Sequence, residues 1–216
     1  MRLSLLFITI FFCTVLANAQ ANPNLEAEYN GLFANAVSET NADFPFVFTV
    51  TTKFMKNGKT VQTVTERDER EAELHERITR TTATSKGTET QYQISVGDAN
   101  TFCSKDGKIW IASQYECFGP VNFYGREQPL SVERTITEKT VNGKSLKVLR
   151  EITLLSPLNG KGKKRFREKI STLDSRGFFV SVIDTEGTLD PKTVTLIRKQ
   201  LWTKESFDPI TAPRSK

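Results

Sequence analysis

The stretch FPFVFTVTTKFMKNGKTVQTVTERDER, residues 44–70, decides the fold class. Large apolar residues alternate with smaller or polar ones at Phe46, Phe48 and Val50, which is the period of a half-buried β-strand. Asn57-Gly58 follows, and this dipeptide supplies the positive φ angles that a two-residue hairpin turn needs. A second segment of strand character begins directly after the turn. The stretch therefore predicts an antiparallel hairpin.

The turn signal recurs along the chain. Asp106-Gly107, Asn142-Gly143 and Asn159-Gly160 are each followed by lysine, as Asn57-Gly58 is, which favours a meander of antiparallel hairpins. The predicted strands between the turns are Phe46 to Lys56, Lys59 to Arg70, Leu74 to Ser85, Thr88 to Val96, Lys108 to Ser113, Leu130 to Val141, Lys144 to Leu155, Lys164 to Leu173, Phe178 to Glu186 and Lys192 to Thr203.

Two features of these segments bear on the predicted fold. The segment from Glu66 to Arg77 also fits a helix, because its opposite charges fall at helix spacing. The strands after Phe178 carry apolar residues on both faces, whereas a one-sided sheet shows polar residues on its outer face. The expected fold is mainly β: a strongly curved antiparallel meander or half-barrel, with its later strands buried more heavily.

The N-terminal region has a different character. Arg2 and an apolar run from Leu3 to Leu16 precede Ala17-Asn18-Ala19, which is typical of a cleaved signal peptide over residues 1–19. Apolar residues then recur at steps of three and four, which predicts an amphipathic helix over about 24–39. We therefore expect an exported protein, periplasmic or secreted, with a single antiparallel β domain over residues 20–216.

Charge and cysteine content limit the function classes. The chain has 30 Lys and Arg against 25 Asp and Glu, a formal net charge of +5 that is too mild to indicate nucleic-acid binding. Cys103 and Cys117 are expected to form a disulfide, because oxidising compartments keep such pairs joined. A two-residue turn at Asp106-Gly107 would place Cys103 opposite Trp110. The bond would then pin an irregular segment, Gln114 to Arg126, across one mouth of the sheet.

The order of these elements resembles the bacterial lipoprotein-carrier fold shared by LolA and the mycobacterial LppX-like lipid binders. The shared pattern is a helix after the signal, then FPFVFTVTTKF, an Asn-Gly turn with charged strands, ISVGDANTFCSKDGKIWIA, and LDSRGFFVSVIDTEGTLDPKTVTLIRKQLW followed by FDPITAP. The resemblance implies a half-open antiparallel barrel that holds an acyl chain beneath helices.

A carrier of this kind needs an apolar surface that its own side chains do not fill, because the ligand must bury its methylenes there. Each methylene that leaves water contributes about 0.8 kcal/mol of binding free energy. The aromatic candidates for that surface are Phe46, Phe48, Phe54, Trp110, Phe179 and Trp202. The leading hypothesis is a non-enzymatic binder or carrier of a lipid, an acyl chain or another apolar ligand in a concave cavity of the sheet, and its partner could be a lipid or an acylated protein. The alternatives are an envelope protein-interaction or sensing module with a filled core, and an enzyme of unknown type.

A basic cluster lies at and after Asn159-Gly160. It could rest on anionic headgroups of a membrane surface, or it could be a solvated hairpin tip that resists edge-to-edge aggregation. Its members are Lys161, Lys163, Lys164, Arg165 and Arg167.

No residue pattern in the sequence indicates a catalytic residue or a cofactor site. His75 stands alone among charged residues, and two cysteines with one histidine do not make a closed zinc site. Asp184, Glu186 and Asp190 lack the spacing of a calcium loop, so we interpret them as turn residues around Gly187 and Pro191.

Overall fold

The computed structural model describes residues 23–97, 100–113, 117–118, 129–157, 162–189 and 191–213. The predicted signal peptide lies outside these ranges. Within them the chain forms the predicted helix followed by eleven strands. The elements are α1 (Pro23–Ala42), β1 (Phe46–Lys56), β2 (Lys59–Ala72), β3 (His75–Thr84), β4 (Gly87–Val96), β5 (Thr101–Ser104), β6 (Ile111–Ser113), β7 (Pro129–Val141), β8 (Lys144–Leu155), β9 (Arg165–Leu173), β10 (Phe179–Thr188) and β11 (Thr193–Thr203).

The strands form one antiparallel sheet in the order β6-β5-β4-β3-β2-β1-β11-β10-β9-β8-β7. Consecutive strands pair throughout, except that β1 pairs with β11 at the middle of the sheet. The two ends, β6 and β7, do not pair with each other, so the sheet is curved but unclosed. This confirms the predicted half-barrel meander.

Two of the Asn-Gly turns form as predicted. Asn57 and Gly58 have φ angles of 51° and 73°, and Asn142 and Gly143 have 50° and 75°. Positive φ at both central residues is the geometry that matches the right-handed twist of the flanking strands. Asn159-Gly160 lies outside the described residues.

The third turn prediction is wrong. Cys103 of β5 lies opposite Ile111, not opposite Trp110, and β6 begins only at Ile111. The loop is wider because side chains satisfy its backbone: the Gly107 N–H donates to Ser104 Oγ at 2.9 Å, and the Lys108 N–H donates to an oxygen of Asp106 at 2.8 Å. Such side-chain turns compete with a two-residue hairpin.

The segment from Glu66 to Arg77 is strand, in the β2–β3 hairpin. The charges that suggested helix spacing instead pair across the strands. Arg77 Nε of β3 lies 2.5 Å from a carboxylate oxygen of Glu69, the residue opposite it in β2. Opposite charges at directly opposed positions stabilise an antiparallel pair, so the same residues support the sheet.

The core lies between α1 and the later strands. Tyr29 and Ala36 of the helix are buried against Leu149, Leu173 and Val182. The expectation that the later strands are buried more heavily holds for β10 against β3, but not for β7, which is mostly exposed. Apolar packing is thus concentrated where the helix lies.

Candidate functional site

One side of the sheet faces α1, and the strand register fixes which residues lie on it. Val182 of β10 is opposite Gln200 of β11, and Phe48 of β1 is opposite Trp202 of β11. Successive residues of a strand point to opposite sides, so alternate positions share this surface. We call it the helix-facing side.

An aromatic stack occupies the helix-facing side beneath the C-terminal half of α1. The ring centroids of Phe33 and Phe179 are 5.3 Å apart, those of Phe179 and Trp202 are 5.1 Å apart, and those of Phe48 and Trp202 are 4.6 Å apart. These separations lie in the favourable range for aromatic pairs. We refer to Phe33, Phe48, Phe179 and Trp202 as the aromatic stack.

Two cavities adjoin this stack and share Phe179 and Trp202 as walls. One cavity, of about 160 Å³, lies between α1 and strands β9 to β11. The other, of about 130 Å³, lies beside the C-terminal end of α1. The Phe179–Trp202 pair therefore lines both spaces.

The cavity beneath α1 has a polar end formed by Lys169, Asp184 and Gln200. Asp184 is 3% exposed, and one of its oxygens accepts from Gln200 Nε2 at 3.4 Å. Its Oδ1 makes no hydrogen bond to the described residues. Burial raises the pKa of the Asp184 carboxyl, and the nearby Lys169 charge opposes that shift.

Lys169 belongs to a row of alternating charges across the helix-facing side. Register places Arg134 beside Glu151, Glu151 beside Lys169, Lys169 beside Asp184, and Asp184 beside Arg198. Arg134 Nε donates to Glu151 at 2.8 Å. Adjacent opposite charges stabilise the row, so the surface next to the aromatic stack is charged rather than apolar.

A second polar group lies on the same side of β2 to β4. Asp68 is 5% exposed and accepts from Arg70 Nε at 2.6 Å, while its other oxygen has no hydrogen bond to the described residues. Burial raises the pKa of Asp68 to about 6. Gln93 nearby is 2% exposed and donates to Glu76. Curvature of the sheet thus buries polar groups far from α1.

The structure brings together four of the six predicted aromatic residues. Phe48, Phe179 and Trp202 belong to the aromatic stack, and Phe46 lines the smaller cavity. Phe54 lies further along β1, opposite Leu196. Trp110 lies in the β5–β6 loop with its ring 6.5 Å from that of Tyr92, and so does not join the stack.

The basic cluster divides into two parts. Lys163 and Lys164 are exposed, and Lys161 lies outside the described residues. Arg165 and Arg167 both bind the carboxylate of Glu186, at 3.3 Å and 2.9 Å, and Glu186 is 4% exposed. The two arginines, at the start of β9, therefore hold a buried acid of β10.

The predicted disulfide is present, with the Cα atoms of Cys103 and Cys117 5.5 Å apart. It holds Phe118, whose ring lies under the Arg80 guanidinium at 4.4 Å. A cavity of about 340 Å³ adjoins the disulfide and includes Tyr92, Ile109 and Ile111 in its lining. Most of the segment predicted to cross the mouth of the sheet, 114–126, lies outside the described residues.

The interpretation of Asp184 and Glu186 as turn residues is wrong. Both are buried within β10, on the helix-facing side. Gly187 also lies inside the strand, where a Cβ would stand 2.1 Å from the Thr193 carbonyl oxygen, so a close backbone approach requires glycine there. Sequence reasoning missed these acids because charged residues in a strand usually indicate the solvent side. Their period of two with Val182 was the available signal.

The described residues contain no group of three or more histidine, cysteine or acidic residues placed to hold a metal. His75 is half-buried at the start of β3. In the same part of the chain, no helix combines the length and the apolar character needed to cross a bilayer.

Comparison with known proteins gives a likeness of fold. No family model matches the sequence, and no curated protein matches it. LprF from Mycobacterium bovis is similar in structure, with a TM-score of 0.43 and 10% identity over 87% of this chain and 97% of that chain. A putative outer membrane lipoprotein-sorting protein domain from Vibrio parahaemolyticus gives a TM-score of 0.28 and 9% identity over 87% and 92%.

A LolA superfamily protein from Nitrosomonas europaea gives a TM-score of 0.28 and 8% identity over 82% of this chain and 91% of that chain. The last of these descriptions prints the name LolA, which also stands in the resemblance stated from the sequence. TM-scores below 0.5 at such identities transfer no ligand, site or activity to this chain.

Proposed function

We propose that this chain is an exported, non-enzymatic binder of an acyl chain or a similar apolar ligand, held between α1 and the sheet. The observation that carries the proposal is that Phe179 and Trp202 line two cavities next to α1. Binding pockets for small ligands usually enclose about 300 to 1,000 Å³, and neither cavity reaches that size alone. If rotation of a ring joined the two cavities, their combined volume would approach the lower limit of that range.

The setting of α1 supports a site that opens. The helix buries Tyr29, Ala36 and Thr40, while Val37, which lines the larger of the two cavities, is 39% exposed. Each methylene that enters is worth about 0.8 kcal/mol, which offsets the cost of separating packed rings. A lipid or the acyl group of an acylated protein would supply such methylenes.

The test is binding of a fluorescent fatty acid, together with mass spectrometry of lipid that co-purifies with the protein. Val182→Phe adds bulk inside the cavity beneath α1. We expect this variant to weaken probe binding about tenfold or more. Val61→Phe, at an exposed position of β2, is the matched control and should bind as the unsubstituted chain does. Absence of probe binding and of co-purified lipid would refute the proposal.

A second candidate function is an envelope protein-interaction or sensing module. The contacts within the aromatic stack favour it, because the rings already fill much of the space between helix and sheet. In that case the purified chain would carry no lipid and would capture a specific protein partner through an outer surface.

We also propose that Lys163 and Lys164, with Lys161, dock the protein on an anionic membrane surface. Each lysine near such a surface contributes about 1 kcal/mol of binding free energy. Replacing Lys163 and Lys164 by glutamine should weaken sedimentation with anionic vesicles and leave neutral vesicles unaffected. Lys144→Gln, at an exposed hairpin position, is the control. Equal loss in the control would indicate a general charge effect instead.

A further inference from the structure

The two edges of the sheet differ greatly in length. β6 has 3 residues and β7 has 13. β7 pairs with β8 on one side and has no strand on its other side among the described residues. A long unpaired edge presents a row of backbone donors and acceptors that another strand can bind. β7 is therefore the edge at which a partner strand can add.

The sequence of β7 has a symmetric charge pattern centred on Ile136. The central residues read Glu133-Arg134-Thr135-Ile136-Thr137-Glu138-Lys139. If a second copy of this segment runs antiparallel with its Ile136 opposite the first, threonine lies opposite threonine. Each acidic residue then lies opposite a basic one. A strand with this pattern is complementary to a second copy of itself running in the opposite direction.

We propose that two copies of this chain associate through antiparallel pairing of their β7 strands, with the two Ile136 residues opposite each other. Glu133 of each copy then lies opposite Lys139 of the other, and Arg134 lies opposite Glu138. Because the arrangement has two-fold symmetry, each of these pairs occurs twice. Opposite charges at directly opposed positions stabilise an antiparallel pair.

The charges also disfavour neighbouring registers. Backbone groups of the two edges meet only when the register moves in steps of two residues, because alternate residues point to opposite edges. A shift of two residues places Glu133 opposite Thr137 or Val141, and Arg134 opposite Ile136 or Thr140, so every ion pair is lost. Charged residues on an edge commonly prevent pairing altogether. This pattern instead favours one register, because only that register forms the ion pairs.

The residues needed for this pairing are accessible. Glu133, Glu138 and Lys139 are exposed and make no ion pair with other described residues. Arg134 donates from Nε to Glu151 and from Nη1 to Glu26. A guanidinium has five N–H donors, so others remain for Glu138 of the second copy. This interface lies at the edge of the sheet and does not depend on a ligand beneath α1.

Sedimentation velocity over a wide concentration range tests the inference with the full chain. We expect a reversible dimer that weakens as salt is added, because exposed ion pairs are screened. Glu133→Lys and Lys139→Glu each replace attractive pairs by repulsive ones and should each raise the dimer dissociation constant about tenfold. The double variant Glu133→Lys with Lys139→Glu restores opposite charges across the two-fold axis and should dimerise as the unsubstituted chain does.

Lys144→Glu is the matched control, since it makes the same charge change at an exposed position of β8 away from the edge. It should leave the dissociation constant unchanged. A chain that stays monomeric at every concentration would overturn the inference. So would a dimer that the single charge changes do not weaken, or one that the double variant fails to restore. Circular dichroism of each variant separates loss of pairing from loss of folding.

Discussion

The two halves of the sheet differ in the side chains that they bury on the helix-facing side. Strands β7 to β11, the covered half, meet α1 and bury Leu149, Leu173, Phe179 and Val182. Among the described residues, strands β1 to β6, the uncovered half, contribute none to the apolar cluster packed around α1. On the helix-facing side they bury Asp68 and Gln93 as well as the apolar Phe46, Val50 and Val64.

The difference shows that strands outside the cluster around α1 also bury side chains, polar ones included. A helix supplies an apolar surface, so the strands beneath it can bury apolar groups. Without it, the curved strands shield one another, and polar side chains buried there are stabilised by hydrogen bonds within the sheet. Gln93 donates to Glu76 of the neighbouring strand, and one oxygen of Asp68 accepts from Arg70 of its own strand.

The largest expected effect tests the covered half. Phe179→Ala removes a ring that contacts both Phe33 and Trp202, and should lower the free energy of unfolding by about 4 kcal/mol. Urea unfolding measures this loss. Phe54→Ala, at a half-buried position beyond the stack, should cost clearly less. Equal losses would mean that the aromatic stack has no special weight in stability.

The next effect concerns the uncovered half. Replacing Cys103 and Cys117 together by alanine removes a bridge over a sequence separation of 14. Loops of this length contribute about 3 kcal/mol on chain-entropy grounds. Hydrogen exchange should show faster opening of β4 and β5, with β8 to β10 unchanged. Uniform loss of protection throughout the sheet would show that the two halves unfold as one unit.

Asp68 gives the uncovered half a specific pH dependence. Its pKa is raised from 3.8 to about 6, so the folded state keeps a proton that the unfolded state has lost. The free energy of unfolding should therefore fall between pH 3.8 and about 6. Asp68→Asn should remove about 2 to 3 kcal/mol of that fall. Asp208→Asn, at an exposed position, should leave the pH profile unchanged.

The smallest effect tests the link between α1 and β10. The Phe179 N–H donates to Thr40 Oγ1 at 2.8 Å in a buried setting. Thr40→Val leaves that N–H without its acceptor and should cost about 1 to 2 kcal/mol in thermal or urea unfolding. Thr40→Ser keeps the hydroxyl and should cost less. A valine variant as stable as the serine variant would show that the hydrogen bond contributes nothing.

The sequence was sufficient to predict the helix, the meander and most strand boundaries, because these depend on local period and turn chemistry. It failed at Asp106-Gly107, where the side chains of Ser104 and Asp106 build a wider loop. Burial of Asp184 and Glu186 was also missed, since it depends on α1 and on arginines from another strand. Contacts between residues far apart in the chain produce no recognisable pattern in the local sequence.

The same reasoning applies to the site. Phe48, Phe179 and Trp202 were chosen for size, and the register of β1, β10 and β11 brings them together. Trp110 has the same chemical character but belongs to the opposite end of the meander. The sequence identified these residues as large aromatics, whereas their positions across the sheet follow only from the strand order.

The β1–β11 pairing has a consequence for the speed of folding. It sets Phe48 beside Trp202, while the other pairings in the sheet join strands that follow one another in the chain. Hairpins close short loops, but this seam must bring distant parts of the polypeptide together at a larger entropic cost. We therefore expect each half to form early contacts on its own, and docking at the seam to limit the rate.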